Sequence, residues 1–166
     1  MSAKFHYSLT RYGSCEFKVM RLSEGASGKQ MGDTPAAVAN YLMERLPDSL
    51  CFKADVENLV VVFLDCRRRI IGYEIISQGG LDTVFVHARE VFKPAIILSA
   101  AAIIIAHNHP SGDPTPSESD IKVMRDMMRA GQLLKIELLD SIILGAEAAE
   151  RPKPWVSLKE LGYLYH

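Results

Sequence analysis

The sequence is short of the features that mark several specialised protein classes. Its three cysteines, Cys15, Cys51 and Cys66, are odd in number, widely spaced and without a C-x-x-C pair, which argues against a zinc ribbon, a redox motif or a disulfide framework. The longest nearly apolar run, residues 95–106, is too short for a membrane-spanning helix. The first six residues begin no apolar signal segment. We therefore expect a cytoplasmic protein with reduced, mostly structural thiols and no membrane association.

An excess of charge of one sign is also missing. The 19 Lys and Arg residues are matched by 20 Asp and Glu residues, so no basic excess is present to displace counterions from nucleic acid. Strong nucleic-acid binding is therefore not expected. The 166 residues, of which 48% are hydrophobic, are enough to bury one core, and the sequence has no internal repeat or low-complexity tract.

Hydrophobic patterning predicts an α/β (mixed α+β) domain. The apolar, β-branched run over residues 59–64 is typical of a buried central strand. Further strands are expected over 70–77, over 101–106, over 136–144 as one strand or a bent pair, and over 156–158 as an edge strand. Helices are expected from Thr34 to before Pro47, over 88–99, and from Ser117 to Gly131. Pro94 is expected to kink or shorten the second of these helices. Alternating elements favour one mixed central sheet flanked by helices over residues 34–166, with a strand-like extension and linker in residues 1–33.

Two histidines lie where a predicted buried strand ends. His107 and His109 are two residues apart, so period-two alternation points both side chains to the same side if extended geometry continues that far. Asp120 follows eleven residues after His109, in the first turn of a predicted helix. Two histidines and one carboxylate leave a fourth tetrahedral position open for water, the arrangement of a catalytic rather than a structural zinc site. The pattern predicts that these three residues bind Zn²⁺.

The segment between the histidines and the aspartate is predicted to be a stiff loop. Residues 110–116 contain three prolines and one glycine, which restrict the backbone. The sequence from Ser117 to Asp120 has the pattern of a capping box, with Ser117 as the helix N-cap. Because the loop and the cap fix where the helix begins, Asp120 can reach the point on which the two histidines converge.

Several neighbouring polar residues have structural explanations that compete with functional ones. Asp113 could be a fourth metal ligand, but its position between a glycine and a proline is typical of a turn residue. His87 is interpreted as a helix-entry histidine rather than a ligand. Asn108 and Ser111 are expected to brace the loop by side-chain to backbone hydrogen bonds. The run Arg67–Arg69 is expected to be a solvated hairpin turn rather than a phosphate-binding patch.

One long motif resembles that of a known family. The string His107-Asn108-His109-Pro110-Ser111-Gly112-Asp113-Pro114, followed by Ser117 and Asp120, is similar to the motif of bacterial RadC-like proteins in the JAMM, or MPN-plus, metalloprotease superfamily. The resemblance covers about residues 34 to 161 and implies a single JAB/MPN-like domain. The chain departs from the family pattern at Ser141, where a histidine is usual, and at Ala88, where a proline is usual.

The resemblance also implies an activity. It identifies Glu57, eight residues before Asp65, as the general acid/base of a zinc-dependent amide hydrolase, a metallopeptidase or isopeptidase acting on a protein or peptide substrate. It further implies that Ser117 donates a hydrogen bond to the developing oxyanion as well as capping the helix; the alternative is that Ser117 is a helix cap alone. The alternative function is a DNA-repair-associated RadC-type module with little or no hydrolytic activity.

Overall fold

The computed structural model describes residues 30–79, 86–151 and 153–164, and the backbone of 7–12 and 16–21. The N-terminal backbone forms an antiparallel pair, β1 (Tyr7–Tyr12) and β2 (Glu16–Arg21). The other elements are α1 (Pro35–Arg45), β3 (Asn58–Leu64), β4 (Ile70–Gln78), α2 (Ala88–Ile97), β5 (Ala102–Asn108), α3 (Glu118–Leu134), β6 (Glu137–Leu144) and β7 (Trp155–Ser157). This is the α/β architecture that the sequence predicts.

Five strands form the central mixed sheet in the order β4-β3-β5-β6-β7. All neighbouring pairs are antiparallel except β5 and β6, which are parallel and are joined through α3. Strand β3, predicted as a central buried strand, is buried along its whole length. The segment predicted as one strand or a bent pair is the single strand β6, and the last strand lies at the sheet edge as expected.

The two faces of the sheet pack against different helices. Side chains alternate along β3, so that Leu59, Val61 and Phe63 join the core on the α2 and α3 side, while Val60 and Val62 join the core on the α1 side. Burying β-branched and aromatic side chains on both faces explains why β3 reads as a continuous apolar run rather than as an alternating one. The predicted layer of helices on each side of one mixed sheet is therefore present.

The predicted end of helix α3 was wrong. It was expected to end at Gly131 but continues to Leu134, and Lys135 supplies the left-handed C-cap with φ 58°. Gly131 is inside the helix because the chain packs closely there: a Cβ at this position would lie 2.5 Å from the carbonyl oxygen of Ile136 and 3.2 Å from the Phe92 ring. Close packing, rather than helix termination, explains this glycine.

Two smaller expectations are also resolved. Helix α2 continues through Pro94 and ends at Ile97, two residues before its expected end. Cys51 and Cys66 are exposed free thiols, which is contrary to the expectation of structural cysteines, and Cys15 lies outside the described residues.

Most of the expected linker lies outside the described residues, but its last residues, from residue 30 onward, are described. Met31 forms a β-bridge with Arg69, and the Gly32 amide donates to the Arg68 carbonyl at 2.8 Å. Chain segment 30–32 therefore pairs with the main body, while the domain boundary at residue 33 stays a prediction. In the part of the chain that the structure describes, every helix is too short or too polar to cross a membrane.

Candidate metal centre

The two histidines meet at the end of the central strand β5. His107 is within β5, where its backbone pairs with Leu59 on one side and Ile143 on the other. His109 follows the strand, and its amide donates to the Leu144 carbonyl at 2.9 Å, so the extended geometry persists past Asn108. Their Nε2 atoms are 3.1 Å apart. The prediction that the two imidazoles converge is confirmed.

Asp120 completes the cluster from the first turn of α3. The helix begins with the predicted capping box: the Ser117 hydroxyl accepts from the Asp120 amide, and the Asp120 carboxylate accepts from the Ser117 amide. This places the buried Asp120 carboxylate against both imidazoles, with Oδ1 at 3.1 Å from His107 Nε2 and Oδ2 at 3.6 Å from His109 Nε2. The three ligand atoms that these residues offer lie within 4.8 Å of one another.

The spacing of these atoms fits a small metal ion. Ligand atoms bound at 2.0–2.2 Å in a tetrahedral zinc site are about 3.3–3.6 Å apart, close to the 3.1 Å between the two Nε2 atoms and the 3.1 Å from His107 Nε2 to Asp120 Oδ1. Two imidazoles and one carboxylate are also a donor set that first-row transition metals accept. His107, His109 and Asp120 can therefore hold a metal ion, as the sequence predicts.

The loop between the ligands orients one of the imidazoles. His109 Nδ1 lies 2.7 Å from the backbone carbonyl oxygen of Asp113, and because a carbonyl only accepts, Nδ1 carries the proton and Nε2 presents its lone pair to the cluster. The Asp113 side chain accepts from the Thr115 amide and from Arg151, which holds the loop in this shape. Asp113 thus supports a ligand through its carbonyl and is not itself in the cluster.

The loop also lies close against the end of β6. A Cβ at Gly145 would lie 2.4 Å from the Gly112 carbonyl oxygen and 2.7 Å from Pro114 Cδ. Any side chain at Gly145 would therefore displace the loop that orients His109. This requirement is visible only in the tertiary structure, because the two glycines are far apart in the sequence.

Asp120 is ionised in this setting. Burial by itself raises the pKa of its carboxyl, but the hydrogen bond and charge of His107 and the two hydrogen bonds from Ser117 outweigh burial and hold the pKa well below its usual range. Ser117 donates to Oδ2 from both its amide and its hydroxyl, each at 2.7 Å. One carboxylate oxygen is thus anchored by the helix start, while the other faces His107.

Glu57 immediately precedes β3 and is half-buried. Its carbonyl accepts from the Gly79 amide at 2.9 Å, which fixes its backbone to the end of β4. The β3–β5 register ends at the Leu59–His107 pair, two residues after Glu57, and the next residue, Asn58, is hydrogen-bonded to Asn108, so the Glu57 backbone lies close to the end of β5 that carries the histidines. Glu57 is not among the three residues of the cluster.

The other polar residues that the sequence singled out lie outside the cluster of His107, His109 and Asp120. His87 is exposed at the start of α2, and the hairpin arginines Arg68 and Arg69 pair with Glu137 and Asp65. Ser111 braces the loop by accepting from the Asp113 amide, as expected.

Asn108 was expected to brace the same loop and instead contacts the segment before β3. It accepts from the backbone and side chain of Asn58, which sequence reasoning did not single out. The signal was present: an asparagine beginning a wholly apolar strand must find hydrogen-bond partners when it is buried.

Fold and site together define a class, an α/β domain with a potential metal centre of two histidines and an aspartate at a strand end. The chain belongs to the RadC-like JAB domain family, whose model matches residues 32–163. The resemblance inferred from the motif is therefore confirmed.

Relatives support the same assignment. A UPF0758 protein of Caldanaerobacter subterraneus subsp. tengcongensis is 43% identical over 86% of this chain and 57% of its own length. A UPF0758 protein of Geobacillus sp. is 41% identical over 89% of this chain and 59% of its own length. A UPF0758 protein of Moorella thermoacetica is 52% identical over 67% of this chain and 46% of its own length. The chain spans about half to three-fifths of the length of these relatives.

Proposed function

We propose that this domain is a zinc-dependent hydrolase of amide bonds in proteins or peptides. The observation that carries the proposal is the cluster of His107, His109 and Asp120, because three protein ligands leave one coordination position for water or substrate. Bound zinc supplies a Lewis acid that polarises the scissile carbonyl and lowers the pKa of a bound water to about 7.

Glu57 is the proton carrier in this mechanism. Its position next to Asn58, which is hydrogen-bonded to Asn108 between the two histidines, supports this role, since a general base must reach the water that attacks the carbonyl carbon. The Glu57 carboxylate takes one proton from that water as the new C–O bond forms. It then delivers the proton to the amide nitrogen as the C–N bond breaks, so the amine leaves neutral and the carboxylate is regenerated.

Ser117 donates a hydrogen bond to the developing oxyanion. In the structure its hydroxyl proton is given to Asp120 Oδ2, and a serine hydroxyl has only one proton to donate. Asp120 Oδ2 keeps the hydrogen bond from the Ser117 amide if the hydroxyl turns away. The hydroxyl can therefore serve the substrate without leaving Asp120 Oδ2 unanchored.

The charge balance favours this function over a DNA-repair-associated module. The chain carries 19 basic and 20 acidic residues, and Arg68 and Arg69 of the β3–β4 hairpin are paired with carboxylates. Counterion release therefore offers little affinity for a phosphate backbone.

Metal analysis and a trapping variant test the proposal. Protein purified without chelators is expected to hold about one zinc per chain. The His107→Ala/His109→Ala double variant should lose the zinc, whereas Glu57→Gln should keep it and lose hydrolysis, because the amide cannot accept a proton. A proteome-wide comparison of cells carrying the wild type and Glu57→Gln should show substrates accumulating with the variant.

The matched control is Glu44→Gln, which makes the same change at an exposed position on α1. It should retain both zinc and activity. Equal zinc in the wild type and the double-histidine variant would show that the site is misassigned. Wild-type turnover by Glu57→Gln would remove Glu57 from the mechanism.

A further inference from the structure

A pair of side-chain amides lies directly behind the metal centre, on the opposite face of the sheet. Asn58 begins β3 one residue after Glu57, and Asn108 separates the two histidines. Because side chains alternate, these asparagines point to the α1 side while His107 points to the α3 side. Asn58 is completely buried, so its polar atoms require partners within the protein.

The two asparagines join the segments that carry Glu57 and the histidines. Asn108 Oδ1 accepts from the Asn58 backbone amide at 2.9 Å and from Asn58 Nδ2 at 2.8 Å. Asn108 Nδ2 donates to the Val56 carbonyl at 3.0 Å, and Asn58 Nδ2 donates to the same carbonyl at 2.8 Å. Both residues that flank Glu57 in the sequence are thus hydrogen-bonded to the residue between the two histidines.

These bonds replace the strand ladder where it stops. The β3–β5 register ends at the Leu59–His107 pair, and the next donor along β3, the Asn58 amide, is taken by the Asn108 side chain. On the other side, Asn58 Oδ1 accepts from Gln78 at the end of β4 and from the Lys53 amide. Beyond the last ladder pair, the position of Glu57 relative to β5 therefore depends on these side-chain amides, in addition to the Gly79 amide that binds the Glu57 carbonyl on the β4 side.

We propose that Asn58 and Asn108 are positioning residues that hold the Glu57 backbone at its working distance from the metal centre. This inference rests on the proposed function, in which Glu57 is the acid/base. The histidines do not need the pair, because β5 is also bonded to β6, where Asn108 pairs with Leu144 and the His109 amide donates to Leu144. Loss of the pair should therefore move Glu57 and leave the metal ligands in place.

Amide hydrogen exchange tests the pair without any need for activity. In the Asn108→Ala protein, the Asn58 amide loses its acceptor and should exchange at least about tenfold faster, while the His107 and His109 amides and the zinc content stay as in the wild type. Asn40→Ala is the matched control, since Asn40 is exposed on α1, and should change neither. Unchanged exchange at Asn58, or loss of zinc from Asn108→Ala, would overturn the proposal.

Turnover of a quenched-fluorescent mixed-sequence peptide library tests the consequence for catalysis. Asn108→Ala should lower kcat about 10²-fold with KM little changed, since a misplacement of about 1 Å can have that effect. In the Glu57→Gln background the same substitution should lower the residual kcat no further, because it acts through Glu57. Additive losses would show that the pair does not act through Glu57.

Two further variants separate positioning from general loss of stability. Val62→Ala truncates a fully buried side chain on the same face of β3, away from the site, and should lower the Tm while keeping the kcat of folded protein. Asn108→Asp keeps an acceptor for the Asn58 amide but sets a carboxylate oxygen against the Val56 carbonyl in place of the donor, so exchange at the Asn58 amide should stay slow while kcat still falls. If both Asn108 variants fail to fold, the pair is a folding requirement and the positioning role is wrong.

The outcomes also distinguish this inference from the proposed function. If the wild type binds zinc and hydrolyses peptides but Asn108→Ala does so equally well, the positioning role fails and the hydrolase stands. If the wild type neither binds zinc nor hydrolyses any peptide, the hydrolase fails, and exchange at the Asn58 amide still reports whether the pair holds the segment beside Glu57.

Discussion

Replacing Ser117 by glycine and by alanine separates helix capping from catalysis. In the structure the Ser117 hydroxyl accepts from the Asp120 amide at 3.2 Å and donates to Asp120 Oδ2 at 2.7 Å. Loss of an N-cap serine costs about 0.5–2 kcal/mol when alanine replaces it, but only a few tenths when glycine does. For a chain of this length, Ser117→Ala should therefore lower the Tm by about 1–8 °C and Ser117→Gly by much less.

The effect on turnover is expected to be the same for both variants. Neither has a hydroxyl, so both should lose about 10²–10³-fold in kcat, the range for removing one oxyanion donor. A loss of at most about 2 kcal/mol leaves a domain of ordinary stability folded, so unfolding cannot account for such a fall. Ser117→Thr retains the hydroxyl and should keep most of both properties.

The assay measures kcat, Tm and zinc content for the wild type and the three variants. The zinc content should be unchanged in Ser117→Gly, because the Ser117 amide still donates to Asp120 Oδ2. If Ser117→Gly retains more than about half of the wild-type kcat with full zinc, the serine is only a helix cap. The oxyanion must then be stabilised by the metal or by backbone donors.

Three other predictions concern stability and nucleic acid. Gly131→Ala should lower the Tm by a few degrees, because the contact at 2.5 Å with the Ile136 carbonyl outweighs the helix-propensity gain of about 1 kcal/mol; an unchanged or higher Tm would contradict this. Lys135→Gly should raise the Tm by about 2–4 °C, since glycine adopts the left-handed C-cap conformation without strain. An unchanged or lower Tm would show that the Lys135 backbone is not strained. Binding to duplex DNA at physiological salt should be weaker than about 1 μM and insensitive to changing Arg67–Arg69 to alanine, and tighter binding lost in that variant would overturn this.

Much of the fold could be predicted because each element has a local cause. The Thr34 and Ser117 caps, the apolar run of β3 and the proline-rich loop act within a few residues, and the structure contains each of them. The expectation that α3 ends at Gly131 was wrong because it too was drawn from neighbouring residues alone. Locally a glycine late in a helix indicates its end, whereas the close approach of Phe92 and Ile136 explains it, and that contact is tertiary.

Local sequence patterns were enough to predict that His107, His109 and Asp120 cluster. Period-two alternation brings His107 and His109 together, and the capping box fixes Asp120 in the first turn of α3, so short-range geometry was sufficient to predict the cluster. The backbone position of Glu57 beside the histidines is a tertiary feature. It follows from the pairing of β3 with β5 up to Leu59 and His107, and from the Asn58–Asn108 hydrogen bonds, which join residues that are fifty positions apart. Strand register and long-range side-chain pairing depend on the packed sheet, which local sequence patterns do not encode.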